Sequence, residues 1–369
     1  MEILSAKRVQ TFRSIREEEV SDLIESIFRE AKPTINLSKK ISSLTLPPLE
    51  EQLLARKVGT KKPLIILTMH EVANVATGVT VAEQYPSFKW LQKICGIESK
   101  LLQLHKKFDE ILESIVNEHK QRKMRTIPES DTKEDLVDVL LRIQKHGDLG
   151  IPLTDNNIKA VISDMFSAGG ATSSTTIEWA MSEMLKNERL MKIAQSEVRE
   201  AFTRKGNVDE SGHHELKYLK SVIKETLRLH PPVPLLLPRE CREQCEINGF
   251  QIPAKTSVLV NVWSIGRDPK YWTDAEKFQP ERFMDSSMIS RGQISSIYHL
   301  VLEEGCVMCP GIAFAQPNVE LPLAHLLYHF DWELPNEMRK EGLDMTEVLG
   351  MTIRRKHDLH LIPIPSPAE

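Results

Sequence analysis

The stretch that most constrains the fold is TDNNIKAVISDMFSAGGATSSTTIEWAMSEMLKN, residues 154–187. It contains no proline. Thr154 can accept from the free amides of a first turn, and Asp155 places negative charge beside them. The spacing predicts one helix of roughly 45–50 Å at about 1.5 Å per residue. A rod of that length crosses a whole domain, so the rest of the chain must pack around it. Its centre, AGGATSS, holds two adjacent glycines, each costing about 1 kcal/mol in a helix relative to alanine. Two readings follow. The glycines admit a close helix crossing, or they flatten a face on which a planar ligand can lie, with the Thr172 hydroxyl at that face.

Around this rod the pattern is mainly α with a small β part. EEEVSDLIESIFREA has apolar residues at Val20, Leu23, Ile24 and Ile27, and GIESKLLQLHKKFDEILESIVNEHKQRK repeats the helical period. RTIPESDTKED reads as a surface loop. KYLKSVIKETLRLH predicts a helix stopped by Pro231 and Pro232. CEINGFQIPAKTSVLVNVWS reads as a small sheet turning at Asn248–Gly249. Apolar spacing predicts a last helix over about 311–328, broken by prolines, and the tail MTIRRKHDLHLIPI alternates as a strand does.

With 369 residues, 41% hydrophobic and 27% charged, the chain can bury a large core. A formal charge of -4 and the lack of Lys/Arg runs with interleaved aromatics argue against nucleic-acid binding. Cys95, Cys241, Cys245, Cys306 and Cys309 are odd in number and scattered, which fits a reducing compartment. No apolar run reaches the length of a membrane span, and the charged N-terminus is neither signal peptide nor anchor, so the chain reads as soluble.

Several constellations could carry chemistry. Glu225 and Arg228 are i, i+3 partners in ETLRLHPP, a spacing that by itself describes a solvated surface bridge. FQPERF adds Glu281 and Arg282 in a turn. Cys241-x-x-x-Cys245 and Cys306-x-x-Cys309 could supply four zinc thiolates, but they lie about sixty residues apart and the first pair enters a strand. His325 and His329 are i, i+4, yet Leu326 stands where a zinc-protease helix needs Glu, so they read as a satisfied or exposed pair. GHHE, residues 212–215, reads as a solvated loop.

Taken in order, AGGATSS, ETLRLHPP, PRE, FQPERF and CPG resemble the succession in cytochrome P-450 haem-thiolate monooxygenases. The wording around them (STTIEWAMSEM, VWSIGRDPKYW, LPLAHLLYHFDWELP) looks like the plant microsomal group that oxidises terpenoids and other specialised metabolites. The resemblance implies one cytochrome P-450-like domain over 1–369. It implies haem with Cys309 as the axial thiolate, Gly311 in the same loop, and Arg239 on a propionate. Thr172 would lie beside bound dioxygen, and Glu225, Arg228 and Arg282 would form a buried ion network. Val233, Leu236 and Leu349 fall at substrate-pocket positions. It also implies a small apolar substrate, an NADPH cytochrome reductase as electron donor, and, for the family, the cytosolic face of the endoplasmic reticulum. The family's membrane anchor, first sheet strands and most of the helix carrying W-x-x-x-R have no counterpart here, so an incomplete fold and a cytosolic chain are expected.

The chain departs from the family at its cysteine loop, F-x-x-G-x-R-x-C-x-G. Leu302 replaces Phe, Val307 replaces a propionate-binding Arg, and Glu303 and Glu304 bring negative charge toward two carboxylates. A family-like TNFEYIPFGAGRRMC, suitably encoded and read one base later, becomes QISSIYHLVLEEGCV, which is the run from Gln293 to Val307. GKKSRDQEAF treated in the same way becomes ARKVGTKKPL, Ala55 to Leu64. On this reading two segments are frame-shifted and the family frame resumes at Met308. Ala171 stands where the family has an acid, which bears on proton delivery. Pro317 falls inside the last helix, at a cost of about 3 kcal/mol. The competing expectation is therefore an inactive remnant that binds no haem.

Overall fold

The structure, a computed structural model, describes residues 4–30, 34–44, 97–124, 135–147, 152–205, 208–284, 309–335, 339–348 and 352–366. The first helices are α1 (Ala6–Thr11), α2 (Arg13–Arg29), α3 (Ile97–Met124) and α4 (Leu136–His146). The long rod is α5 (Asp155–Lys186), followed by α6 (Glu188–Lys205), α7 (Lys217–Leu229), a short α8 (Val262–Ile265) and α9 (Ile312–His329).

Helix α5 begins as its sequence dictates. Thr154 Oγ1 accepts from the Asn157 amide at 3.3 Å, and Asn157 Oδ1 accepts from the Thr154 amide at 2.9 Å, a reciprocal cap. Its second half lies at the centre of the molecule, with Ile177, Trp179, Ala180, Met181 and Met184 fully buried. Helices α3, α6, α7 and α9 all pack on it. The main core joins α2, α5, α6, α7 and α9, and a second cluster joins α1, α3, α4 and the first half of α5. Among the described residues no helix is long and apolar enough to cross a membrane.

The sheets are small. Strand β1 (Ile35–Asn36) pairs antiparallel with β9 (His360–Pro365), which pairs antiparallel with β6 (Phe330–Glu333), in the order β1-β9-β6. Pro363 and Pro365 lie beyond the reach of β1, where a missing amide leaves no ladder bond unmade on that side. Strand β2 (Arg239–Glu240) pairs with β5 (Ser257–Val258), β3 (Cys245–Ile247) with β4 (Phe250–Ile252), and β7 (Glu347–Val348) with β8 (Arg354–Arg355). The β3–β4 turn uses Asn248 at φ 49° and Gly249 at φ 83°, the left-handed pair that a two-residue hairpin requires.

Three local expectations need correction. The tail is two strands rather than one. Arg355 turns inward to Ser182 Oγ at 2.7 Å and the Asp344 carbonyl at 2.8 Å, and this buried cation breaks the alternation. GHHE is solvated only in part: His214 is exposed, but His213 is buried in a 3-10 turn, Glu210–Glu215, drawn in by Arg16–Glu210 and Arg13–Asp209 ion pairs. His325 is neither exposed nor satisfied. It is buried, and neither ring nitrogen has a hydrogen-bond partner among the described residues.

Candidate functional site

Cys309 stands just before α9 as an exposed free thiol. The Ile312 amide donates to the Cys309 carbonyl at 3.3 Å, and the Ala315 amide donates to the Gly311 carbonyl at 2.7 Å, so the residues after the sulfur wind directly into the helix. At such a helix start the first-turn N–H groups and the positive end of the helix dipole point toward the preceding loop. A Cβ on Gly311 would stand 3.8 Å from Cys309 Sγ, so glycine keeps that side of the sulfur open.

Helix α9 packs on α5, which carries Thr172. The half-buried Thr172 spends its single hydroxyl proton on the Ala168 carbonyl at 2.5 Å, so as placed it offers a neighbour only lone pairs. Beside it, Ser173 is buried and its hydroxyl has no partner among the described residues.

The segment after α7 is tied down by backbone bonds. The Leu236 amide donates to Val233 at 3.1 Å, the Trp263 amide to Pro234 at 3.2 Å, and the Ile353 amide to Pro232 at 2.9 Å. Leu236 is held at φ 51°, a left-handed conformation that leucine rarely adopts. Val233 and Leu236 are half-buried, while Leu235 and Leu237 are exposed. Arg239 follows on β2, half-buried, with no carboxylate partner among the described residues. Leu349 and the run from Gln293 to Met308 lie outside the described residues, as do Ala55 to Leu64.

Glu225, Arg228 and Arg282 meet in the interior. Arg228 grips both Glu225 oxygens at 2.7 Å, and Arg282 Nε donates to Glu225 Oε1 at 3.0 Å. Spare guanidinium protons go to the carbonyls of Ala275 at 2.7 Å and Thr273 at 3.0 Å, and the Gln279 amide caps Glu225 at 2.7 Å. The Glu225 side chain is 0% exposed, so the solvated-bridge reading of its spacing does not describe it. The network ties α7 to the irregular stretch 266–282.

One functional-looking group escaped the motif reading. His230, at the end of α7, donates from one nitrogen to Glu183 at 2.7 Å and from the other to Glu347 at 2.9 Å. Its ring lies parallel to Trp179 at 4.0 Å. Burial alone would lower its pKa, but the two carboxylates more than reverse this, and the net shift is upward. The visible signal was a histidine immediately before Pro231–Pro232.

Among the described residues, one acid–histidine cluster has metal-ligand spacing: His119, Asp135 and Asp138. Arg122 already pairs with both carboxylates, so a protein cation occupies that charge.

The donor set can be tested against haem. A free thiol at a helix start, an unpaired arginine, a helix face carrying glycines and a hydroxyl, and half-buried aliphatics are the groups that iron, a propionate and a planar macrocycle require. The described residues fit on that count.

Comparison with known proteins agrees. A family profile for cytochrome P450 matches residues 1–360. Cytochrome P450 71D10 of Glycine max is 50% identical over 368 residues, covering 99% of this chain and 71% of the relative. Tabersonine 16-hydroxylase 1 of Catharanthus roseus is 50% identical over 366 residues, with the same two coverages. Premnaspirodiene oxygenase of Hyoscyamus muticus is 48% identical, covering 99% and 72%. A solved zebra fish cytochrome P450 superposes with a TM-score of 0.79 at 22% identity, covering 97% of this chain and 78% of that one, a likeness of fold.

Proposed function

The chain belongs to the cytochrome P450 family, and from that premise we propose that it oxygenates a small apolar, terpenoid-like plant metabolite with electrons from an NADPH-dependent reductase. The observation that carries this reading is Cys309, a free thiol at the foot of a helix packed on the Thr172 rod. Haem, when bound, supplies oxygen activation, and a thiolate ligand favours O–O cleavage.

The chain's own residues have simpler tasks. Cys309 presents sulfur, and Gly311 leaves its approach clear. Arg239 binds a propionate by a charge-assisted contact. Thr172, which gives its hydroxyl proton to Ala168, would have to release that bond to donate to a bound ligand, and Ala171 leaves such a donation without an adjacent acid. Val233 and Leu236, with Leu349 by family position, exclude water and shape the pocket. The Glu225–Arg228–Arg282 network holds the stretch before the cysteine loop. The family's place at the cytosolic face of the endoplasmic reticulum is where such a donor is met.

A second reading is favoured by Leu302, Glu303, Glu304 and Val307: a chain with the fold but no haem uptake. The reduced carbon-monoxide difference spectrum of the purified chain separates them. A thiolate-type Soret band that is lost in Cys309→Ser supports the monooxygenase. A chain that purifies folded and takes up no haem establishes the second.

A further inference from the structure

Cys241 and Cys245 face each other with Sγ atoms 3.7 Å apart. Cys241 is half-exposed and Cys245 exposed, and neither is in a disulfide. The fold brings them together from both sides. The Cys241 amide donates to Thr256 at 2.9 Å, and its carbonyl accepts from Lys255 at 2.6 Å. Cys245 sits in the β3–β4 ladder opposite Ile252. Between them Arg242–Gln244 turn back, and the Cys241 thiol donates to the Glu243 carbonyl at 2.8 Å. A disulfide closes at about 2.05 Å, so the two sulfurs have less than about 2 Å to travel from their present separation of 3.7 Å.

We propose that Cys241 and Cys245 are a thiol-oxidation site that closes to an intramolecular disulfide by exchange with a small disulfide of the glutathione class. One cysteine, as thiolate, attacks the small disulfide. Its S–S bond breaks, and one small thiol leaves with a proton. The second cysteine then attacks the mixed disulfide and expels the second small thiol with the other proton. Two cysteine thiols are oxidised and one disulfide is reduced to two thiols. The Cys245 thiol is pushed up, chiefly by its hydrogen bond with Cys241. Closure staples the chain two residues beyond Arg239 and requires no haem.

The sequence supplies the assay. Trypsin cuts after Arg239, Arg242 and Lys255, so the two cysteines fall on separate peptides, 240–242 and 243–255, unless a disulfide joins them. The full chain is equilibrated in glutathione mixtures, acid-quenched, alkylated and digested without reductant. The joined pair is expected at glutathione disulfide levels about tenfold below those that load glutathione onto Cys241→Ser or Cys245→Ser, as an intramolecular partner dictates. Separate glutathione adducts without the joined pair would overturn the proposal. So would equal linkage to Cys95, Cys306 or Cys309, or an advantage no larger in the folded chain than in concentrated urea.

Discussion

Glu225 accepts from two guanidinium groups and one backbone amide while shielded from water. Removing Arg228 strips the buried Glu225 of its bidentate partner and leaves only Arg282 and one amide to compensate the charge, so Arg228→Ala is expected to cost about 3–5 kcal/mol in denaturant unfolding. A loss below about 1 kcal/mol would mean that the pair is solvated after all. His230 makes a different prediction. The folded state holds its proton more tightly than the unfolded chain does, because two carboxylates face it. That contribution is complete below the ordinary imidazole value near pH 6.5 and is lost as pH rises through the raised one. Urea-unfolding free energies of the chain and of His230→Gln should differ by about 2 kcal/mol at low pH and converge upward. A gap that widens with pH would refute the clamp. The sequence shows Glu225 and Arg228 as a spacing but not their burial, because burial depends on Ala275, Thr273 and Gln279 arriving from a distant stretch. Thr172, Arg239 and Cys309 stand as candidates only through a succession of motifs, and Glu183 and Glu347 carried no local mark at all.

At the scale of elements, two positions show how strongly packing overrides propensity. Helix α9 runs unbroken through Pro317 and Pro322. The resemblance includes Pro322, whereas Pro317 stands alone as a cost. Pro317→Ala restores an amide donor to the helix and should raise the thermal midpoint, by the equivalent of about 1–3 kcal/mol. An unchanged or lowered midpoint would show that the proline ring's packing outweighs the missing bond. Gly266 caps α8 where a Cβ would lie 2.3 Å from the Arg228 carbonyl. Gly266→Ala must therefore push α8 from α7, and about 1–3 kcal/mol should be lost, read as a lower urea midpoint. A neutral result would show that the two segments can separate freely. Helix α5 was fully legible because its cap, first-turn acid and proline-free length are all local. The tail was misread because Arg355 is drawn inward by Ser182, which lies far away in sequence, and by the Asp344 carbonyl just outside the tail.

Across the whole molecule the titrating histidines pull in opposite directions. His325 is pushed down to about 3, first by burial and then by His329 and His213. Below about pH 6.5 the unfolded chain takes a proton that this site refuses, and stability falls by about 1.4 kcal/mol per pH unit until the folded site titrates. His119, whose burial is outweighed by Asp135 and its neighbours, is raised, and like His230 it loses its contribution on the alkaline side. Stability should peak near pH 6.5, and His325→Leu should flatten the acid limb of the thermal midpoint profile. An acid limb equally steep in that variant would assign the loss to carboxylates. The sheet order β1-β9-β6 reaches further than equilibrium stability. Ile35 has no ladder partner until Leu361 exists. On a ribosome, helix α2 and strand β1 emerge early and must wait through almost the entire synthesis before β9 leaves the exit tunnel. Closing so long a loop comes late and costs entropy. Nascent chains released just short of Leu361 should remain protease-sensitive around residues 35–44, and a few more codons should close them.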